Sequence, residues 1–354
     1  MTYHLDIVTQ ESDWDRLFSQ LPDPSARGAH RYLAASARIM NNATAEAAIL
    51  SKGDEFIIHP YVKRQTPFAE NLFDLVSPYD FGSFWWNCRP RETQIELFAE
   101  FEETFARHAA SANIVCEFVR LDPYCTAAEF PLRRYERRLQ QNNIIIALDR
   151  SHADIRRGYS QSRSNQVLQG IRNGLTLEFS NNPKEFIEVY HASMDRHAAD
   201  QDYYFPLSYI EELRDRLIVT YVRTPEGALC GAHVFLIEND VIYLYLSASV
   251  PEKQRLRPND FGYDAIIDYA IGRGLKYFHL GGGAESLIRY KRSFSPATVP
   301  YYHLRQIFKL EQYAALSQIH DETFPGQQAG NFFPHYRQGL RAGASGRVPA
   351  VSIS

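Results

Sequence analysis

The residues best suited to chemistry lie late in the segment Val241–Pro296, where the run Gly281-Gly282-Gly283 precedes Lys291. Glycines let a ligand approach the backbone closely, because no side chain stands in the way. A lysine held near them, beside the aromatic residues Tyr290 and Phe294, can place a positive charge where a reaction develops negative charge on oxygen. The alternatives are an ordinary turn and a solvated lysine on a helix.

A second set of polar residues is suited to binding or activating a substrate. Asp80, in the turn Ser77–Gly82 (SPYDFG), can guide or deprotonate an amine, and its alternative is a turn-capping aspartate. Arginines can clamp phosphate or carboxylate groups, and tyrosines can line a groove. The further candidates for substrate binding are Tyr79, Arg163, Arg172, Arg196, Tyr204, Tyr245 and His279. Surface arginines, core tyrosines and a hydrogen-bonded strand histidine are the corresponding alternatives.

Several classes of enzyme are excluded by the motifs that the sequence lacks. It contains no Ser-His-Asp order, no H-E-x-x-H and no G-x-x-x-x-G-K-[ST]. The glycine run is too short for a dinucleotide-binding fingerprint. Because no two histidines stand at i, i+4 with a carboxylate, we expect neither a metal centre nor a cofactor. The four cysteines form no C-x-x-C pair, and Cys116 and Cys230 are interpreted as core thiols.

The composition is typical of a well-packed globular protein. The chain has 354 residues, of which 45% are hydrophobic and 23% charged, and its formal net charge is −4. This balance argues against a dedicated nucleic-acid-binding protein, and we expect no DNA partner, although it leaves room for a local basic patch. No basic and apolar signal-peptide regions are recognised at the start, and no apolar run approaches the ~20 residues of a membrane span. We therefore expect a cytoplasmic protein.

A strand, a helix and a second strand must position the glycine run. The apolar run Val241–Leu246 predicts a buried strand, and Pro258 opens a helix whose apolar stripe ends at Gly274. The strand Tyr277–Leu280 then leads directly into the glycines. A strand, a crossover helix and a parallel strand form a right-handed α/β unit, whose functional edge lies at the carboxyl ends of the strands.

The first half of the chain repeats this pattern of elements. Strands flank the tight turn Gly53-Asp54, as others flank Asn239-Asp240, and an amphipathic helix over Arg91–Ala110 precedes the buried strand Asn113–Arg120. We therefore predict an α/β protein with mixed sheets, built from one unit that is duplicated. The predicted domains are residues 1–150 and 151–341, followed by a flexible tail over residues 342–354.

Four stretches of the sequence resemble the FemAB-like transferases, which include the peptidoglycan-bridge aminoacyltransferases. The stretches are HLGGG with RYKRSFS over residues 279–295, the turn Ser77–Gly82, the pair Met194-Asp195-Arg196 and Tyr203-Tyr204-Phe205, and the basic helix Ser162–Gly174. The resemblance covers roughly residues 40–310 and implies two tandem acetyltransferase-type (GNAT-like) domains. It also implies an N-acyltransferase that joins an activated acyl or aminoacyl donor to a small amine, with Lys291 at the oxyanion.

Two departures of this chain from the family's sequence pattern decide which donor and which acceptor we expect. CoA-dependent enzymes of this fold carry [QR]-x-x-G-x-[GA] before the helix, whereas Gln254–Gly262 here reads QRLRPNDFG. Since proline has no amide hydrogen, Pro258 weakens a backbone cradle for pyrophosphate, although Arg255 and Arg257 could still meet phosphates. Aminoacyl-tRNA is therefore preferred over acyl-CoA as donor. No inserted helical hairpin is recognised, which favours a small-molecule, glycan or lipid amine over the peptidoglycan precursor. A non-catalytic tandem-domain binding protein is the third possibility.

Overall fold

The computed structural model describes residues 2–40, 42–199, 203–325, 330 and 332–340. The predicted tail, residues 342–354, lies outside them. The strands are β1 His4–Val8, β2 Ala43–Lys52, β3 Glu55–Gln65, β4 Phe73–Val76, β5 Trp85–Trp86, β6 Ile114–Arg120, β7 Glu136–Ala147, β8 Thr176–Ser180, β9 Leu217–Arg223, β10 Leu229–Glu238, β11 Val241–Ser249, β12 Tyr277–Gly281 and β13 Thr298–Ile307.

The α-helices are α1 Glu11–Phe18, α2 His30–Arg38, α3 Arg91–Ser111, α4 His152–Arg157, α5 Gln161–Arg172, α6 Lys184–Arg196, α7 Leu207–Glu212, α8 Pro258–Gly272, α9 Glu285–Arg292 and α10 Leu310–Thr323. Short 3₁₀ helices cover Ala26–Gly28, Thr126–Glu129, Pro251–Leu256 and His335–Arg337. In the described part of the chain, no helix combines the length and the apolarity that crossing a bilayer requires.

The chain forms two compact units, and both have the same strand order. The first consists of residues up to Gln140 together with those from Tyr301 onward, and the second of Gln141–Pro300. In the first unit, β1, β2, β3 and β4 pair antiparallel in sequence order, β4 pairs parallel with β6, and β6 pairs antiparallel with β13. In the second unit, β8, β9, β10 and β11 pair antiparallel, β11 pairs parallel with β12, and β12 pairs antiparallel with β7.

This repetition confirms the predicted mixed α/β fold, although the units divide the chain differently from the predicted ranges 1–150 and 151–341. The difference arises because the first unit takes its last strand, β13, from beyond the second unit, whereas the second unit is the single stretch Gln141–Pro300, which already includes the paired part of β7. Strand β7 precedes the second unit's helices and strands in sequence, and β13 follows that unit and pairs with β6 from His303–Arg120 to Ile307–Cys116.

In each unit an aromatic and aliphatic core packs beneath the crossover helix. Helix α3 buries Phe98, Phe101 and Phe105 at helical spacing against strands β3 and β6. Helix α8 likewise buries Ile266 and Ile267 beside β11 and β12. Because the crossover helix covers one face of the sheet, the carboxyl ends of β4 and β11 are left as the edges where a site can form.

Candidate active site

Two parallel strands of the second unit separate before they end. Strands β11 and β12 pair as far as Tyr243 and His279. Strand β11 continues to Ser249 and β12 to Gly281. Among the described residues, no strand pairs with this side of β11 beyond Tyr243. This opening therefore leaves a length of backbone edge that can hydrogen-bond an extended ligand as another strand would.

Lys291 lies beside the end of β12 and is buried, with 7% of its surface exposed. Its Nζ donates a hydrogen bond to the carbonyl oxygen of Gly282 at 2.6 Å. Helix α9, which carries Lys291, begins just after the glycine turn. Gly281 has φ of 77° and Gly283 has φ of 130°, conformations that favour glycine. The glycine turn thus reverses the chain, so that the ammonium group of Lys291 on α9 is fixed at the end of β12.

Two amide side chains of β7, which the sequence analysis missed, crowd this turn. A Cβ atom at Gly282 would stand 1.5 Å from Nε2 of Gln141 and 2.6 Å from Oδ1 of Asn143. The two side chains are joined, since Gln141 Nε2 donates to Asn143 Oδ1 at 3.0 Å. A side chain at position 282 would therefore force the side chains of Gln141 and Asn143 or the turn itself to shift. The sequence signal was the polar run Gln140-Gln141-Asn142-Asn143 leading into an apolar strand.

His279 is buried next to these amides rather than open to a ligand. Its exposed fraction is 2%, its Nε2 lies 3.3 Å from Nδ2 of Asn143, and its ring packs on Tyr243 with centroids 5.0 Å apart. Nδ2 of Asn143 is placed to donate a hydrogen bond to this ring nitrogen. These contacts match the hydrogen-bonded strand histidine that was the alternative for this residue.

Arg163 is held by protein partners on every side. Its guanidinium stacks over Tyr290 at 4.1 Å and Phe294 at 4.6 Å, forms an ion pair with Asp260, and donates through Nε to Ser293 Oγ at 2.9 Å. Burial lowers its pKa from the ordinary arginine value. Arg163 thus fastens α5 to α8 and α9, the helix that carries Lys291.

A pocket of about 240 Å³ opens at the beginning of α8. Its lining comprises Ser249, Gln254, Arg257, Pro258, Asn259, Asp260 and Tyr290. Arg257 has φ of 67° and precedes Pro258, the first helical residue. Oδ1 of Asn259 is buried and makes no hydrogen bond within the described part of the chain. The pocket therefore offers one cation and one buried amide oxygen at a helix start.

The other candidates of the second unit lie on its helices, in the segment before α7 or in its core. Tyr204 donates to Asp195 at 2.8 Å, and exposed Arg196 contacts Ser193. Tyr245 is buried, with its hydroxyl 2.6 Å from that of Tyr209. Arg172 is exposed in the last turn of α5. The structure therefore groups Lys291 with the glycine turn and His279, whereas Tyr204, Arg196 and Tyr245 make other contacts and Arg172 is exposed.

Asp80 and Tyr79 belong to the first unit. Asp80, with φ of 73°, pairs through Oδ2 with Arg27 at 2.6 Å, and its side chain is 23% exposed. Arg27 is almost fully buried and also pairs with Asp122 at 3.2 Å. The Tyr79 amide donates to Ser36 Oγ at 3.3 Å. Asp80 is thus an ion-pair partner in this structure, and its role towards an amine stays a prediction.

Arg120 fastens the backbone of the turn that contains Asp80. Arg120, at the end of β6, donates through its guanidinium to the carbonyls of Ser77 at 3.1 Å, Pro78 at 2.8 Å and Asp80 at 3.2 Å. Gly82 continues the parallel pairing, because its amide donates to the Arg120 carbonyl at 2.8 Å. The turn therefore extends β4 along β6.

Comparisons with known proteins agree with this architecture. Residues 131–292 match the family model described as an acetyltransferase (GNAT) domain. The structure is similar to that of FemX, with a TM-score of 0.65 and 11% identity over 89% of this chain and 99% of that one. No curated protein was found to match the sequence.

Two further solved structures share the fold. The C-terminal domain of a putative lysylphosphatidylglycerol synthetase from Agrobacterium fabrum gives a TM-score of 0.51 at 14% identity, covering 83% of this chain and 92% of that one. L-PGS from Bacillus licheniformis gives 0.54 at 11% identity, covering 84% and 92%. These structures confirm the predicted mixed α/β, GNAT-like fold. The match over residues 131–292 agrees with the expected acyltransferase class.

Proposed function

We propose that this chain is an N-acyltransferase that forms an amide from an activated acyl or aminoacyl donor and an amine, with its reaction centre where β11 and β12 separate. The observation that carries the proposal is the buried ammonium of Lys291, fixed 2.6 Å from the carbonyl of Gly282, which follows the last residue that β12 pairs with β11. A fixed positive charge in a partly desolvated site suits a reaction that develops an oxyanion.

The chemical steps follow from amide formation. The amine nitrogen attacks the carbonyl carbon of an ester or thioester, and the carbonyl electron pair moves to oxygen. Lys291 stabilises that oxyanion electrostatically, while the edge of β11 orients the acyl chain. Collapse of the intermediate breaks the bond to the leaving oxygen or sulfur, which takes up the proton that the amine releases. In this mechanism Lys291 neither gains nor loses a covalent bond.

The neighbouring residues hold this arrangement in place. Gln141 and Asn143 press on Gly282, whose carbonyl holds Lys291, and Arg163 fixes α9 through its two aromatic contacts. They are positioning residues, because they act on the reaction through the turn and the helix. The predicted guidance of the amine by Asp80, and substrate contacts of Arg172, Arg196 and Tyr204, remain parts of the proposal that require direct tests.

Aminoacyl-tRNA is the donor that we propose first. Pro258 is the first residue of α8 and offers no N–H, and the Asp260 carboxylate lies in the same first turn. Both features weaken a helix start as a pyrophosphate cradle, because that site depends on free amides and a positive terminus. A cytoplasmic location, where charged tRNA is found, belongs with this proposal.

Acyl-CoA is the second candidate donor, and one observation favours it. The pocket of about 240 Å³ at the start of α8 contains Arg257, which can meet a phosphate, and the buried, unbonded Oδ1 of Asn259, which can accept from an amide-containing chain. A CoA thioester would present both kinds of group. The acceptor is proposed only as a primary amine on a small molecule, glycan, lipid or peptide precursor.

The test of the activity is Lys291→Ala assayed against a panel of amines with each donor. We expect kcat/KM to fall by roughly 10²–10³-fold, as for loss of one oxyanion-stabilising group. Lys276→Ala is the matched control, because Lys276 is an exposed lysine of the same unit, paired with Asp240. Full activity of folded Lys291→Ala would refute the proposed centre. Absence of any product with either donor would favour a binding protein.

The donor is identified by two treatments of the wild-type reaction. Activity that ribonuclease abolishes and that added CoA thioesters do not restore supports aminoacyl-tRNA. Activity that ribonuclease leaves intact and that requires a CoA thioester supports the second candidate. Arg257→Ala should then raise the KM for the CoA thioester, whereas exposed Arg273→Ala at the far end of α8 should leave it unchanged.

A further inference from the structure

Three side chains with metal-ligating atoms meet in the first unit. His320 and Asp321 lie in the last turns of α10, and His335 begins the 3₁₀ helix His335–Arg337. Asp321 Oδ1 lies 3.2 Å from His320 Nδ1 and 2.6 Å from His335 Nε2. One ligand atom from each of the three residues lies within 4.8 Å of the other two.

The surroundings of His320 point to a cation at its Nδ1. The side chain is fully buried, and both ring nitrogens face oxygen atoms, because Nε2 also lies 2.8 Å from the Gln338 carbonyl. A neutral imidazole has one N–H group. When Nε2 donates to the carbonyl of Gln338, the lone pair of Nδ1 points towards the carboxylate of Asp321. A backbone carbonyl on the second nitrogen is also the usual arrangement of a histidine that binds a metal.

The third ligand is held rigidly by its neighbours. The backbone of His335 is held in place, because its amide donates a hydrogen bond to the hydroxyl of Tyr313 at 3.1 Å. The next residue, Tyr336, is fully buried and donates to Asp74 Oδ2 at 3.1 Å. Asp321, by contrast, is 54% exposed, so a cation can enter and water can complete its coordination.

We propose that His320 Nδ1, Asp321 and His335 Nε2 bind one divalent cation of the zinc type and thereby fasten the segment 332–340 to α10. Two imidazoles and one carboxylate are a ligand set that Zn²⁺ favours. Zn–ligand bonds of ~2.0–2.1 Å place tetrahedral ligands about 3.3 Å apart, so the exposed Asp321 must withdraw slightly from His335 as the ion enters.

This site departs from the sequence expectation that the chain has no metal centre. That expectation rested on the absence of i, i+4 histidine pairs. Here two ligands are adjacent in sequence and the third follows Asp321 at a separation of 14 residues. The site belongs to the first unit, whereas Lys291 belongs to the second, so we expect it to stabilise the fold and to leave the acyl-transfer step unchanged.

The experiment uses the full chain, freed of metal with a chelator and titrated with Zn²⁺ against a chromogenic competitor. We expect the wild type to bind one ion per chain. Asp321→Asn keeps the size and the hydrogen-bond acceptor but loses the charge, and His335→Ala removes a ligand at a half-buried position. Each variant should lose roughly 100-fold or more in affinity, since even residues that only orient a ligand are worth 10–100-fold.

The control is His4→Ala, because His4 and Asp6 form an exposed pair at 3.0 Å in β1 without a third ligand beside them in the described structure. This variant should bind Zn²⁺ as the wild type does. Saturating Zn²⁺ should raise the Tm of the wild type and of His4→Ala by roughly 3–5 °C, and that of Asp321→Asn hardly at all. Equal zinc affinity in the wild type and both ligand variants, or no saturable binding, would overturn the proposal.

Discussion

The two units have the same strand order, but they differ at the end of the central parallel pair of strands: the pairing is extended in the first unit and stops early in the second. In the first unit the pairing of β4 and β6 continues past Val76, because the Ser77 amide donates to Phe118 and Gly82 bridges to Leu121. In the second unit the pairing of β11 and β12 stops at Tyr243. In the first unit, the turn Ser77–Gly82 therefore continues the pairing along β6 beyond the end of β4. In the second unit, no such turn continues the pairing of β11 and β12 among the described residues.

The chemistry of the two turns differs accordingly. In the first unit, two arginines bind the turn Ser77–Gly82: Arg120 donates to three of its carbonyl oxygens, and Arg27 pairs with the carboxylate of Asp80. The second-unit turn is three glycines whose carbonyl at Gly282 contacts a lysine ammonium. From this difference we infer that the first unit maintains the structure, whereas the second unit binds and converts the substrate. Four experiments test that division, in order of expected effect.

The largest effect should come from Gly282→Ala. The new Cβ would collide with the side chains of Gln141 and Asn143, and we expect part of the shift to be taken up by the turn that fixes Lys291. A misplacement of about 1 Å costs roughly 100-fold in rate, so we expect kcat/KM to fall by at least that factor while the protein remains folded. Gly272→Ala, at the end of α8 with no atom within 4 Å of the new Cβ, should keep full activity.

Gly82→Ala makes the same change in the first unit and should have the opposite signature. Its Cβ would lie 2.9 Å from the Cβ of Ser77, which costs about 1–3 kcal/mol of unfolding free energy. The kcat/KM of the folded variant should stay near the wild-type value. If Gly82→Ala and Gly282→Ala lose activity equally at unchanged stability, the two units do not divide their roles as we infer.

The second effect concerns Arg120. Arg120→Ala removes charge-assisted hydrogen bonds to the carbonyls of Ser77, Pro78 and Asp80, and we expect the free energy of unfolding to fall by about 2–3 kcal/mol. Urea unfolding monitored by tryptophan fluorescence gives the change. Arg138→Ala, which removes an exposed arginine paired with Glu136, should cost less than about 1 kcal/mol. Equal losses would show that the turn does not depend on Arg120.

The third test concerns the buried histidines, of which each unit has one with a strongly lowered pKa. Burial lowers the pKa of His233 to about 3 and that of His303 to about 4, well below the ordinary value near 6.5. Both are therefore neutral when folded, whereas the unfolded chain takes up protons below about pH 6.5. Stability is complete above that pH and falls as the pH decreases, by up to about 1.4 kcal/mol per pH unit for each histidine.

His233→Gln should reduce this acid sensitivity by up to about 2 kcal/mol between pH 6.5 and pH 5. Glutamine can keep a hydrogen bond to Ser247, which His233 Nδ1 contacts at 3.1 Å. The measurement is urea unfolding at the two pH values, with His4→Gln as an exposed control. An unchanged difference between pH 6.5 and pH 5 would mean that His233 is not buried in its neutral form.

The smallest effect should come from Asp80→Asn. If Asp80 serves only as the partner of Arg27, its substitution should lower the free energy of unfolding by about 1–2 kcal/mol and change kcat/KM by less than a few-fold. A loss of 10²–10⁴-fold at unchanged stability would instead identify Asp80 as the group that guides or deprotonates the amine. This outcome would give the first unit a part in the reaction.

The sequence predicted the local elements of both units well, because their signals are local. The turn Gly53-Asp54 lies between β2 and β3 as expected, and α3 and α8 match the amphipathic stripes that begin after Pro90 and at Pro258. The position of Lys291 next to the glycine turn also agrees with the pattern. Periodicity, proline and glycine act over a few residues, so they can be interpreted from one sequence.

What the sequence could not predict depends on residues that are distant along the chain. For Arg163 the sequence offers a clamp for substrate or a surface arginine, and neither anticipates its ion pair with Asp260, almost a hundred residues later. Gln141 was missed because Gly282 approaches it only when β12 pairs with β7. The ranges predicted for the two domains likewise follow the order of the sequence, whereas the compact units depend on which strands β7 and β13 pair with.

The position of β13 in the sequence has a consequence for the order in which the molecule is made. The first unit needs β13, whose Leu304 lies in its core, and the segment around Tyr336, which packs beside Val115 of β6. Both emerge from the ribosome after the whole of Gln141–Pro300. We therefore expect the second unit to fold first during synthesis. The first unit can complete its core only after β13 has been synthesised.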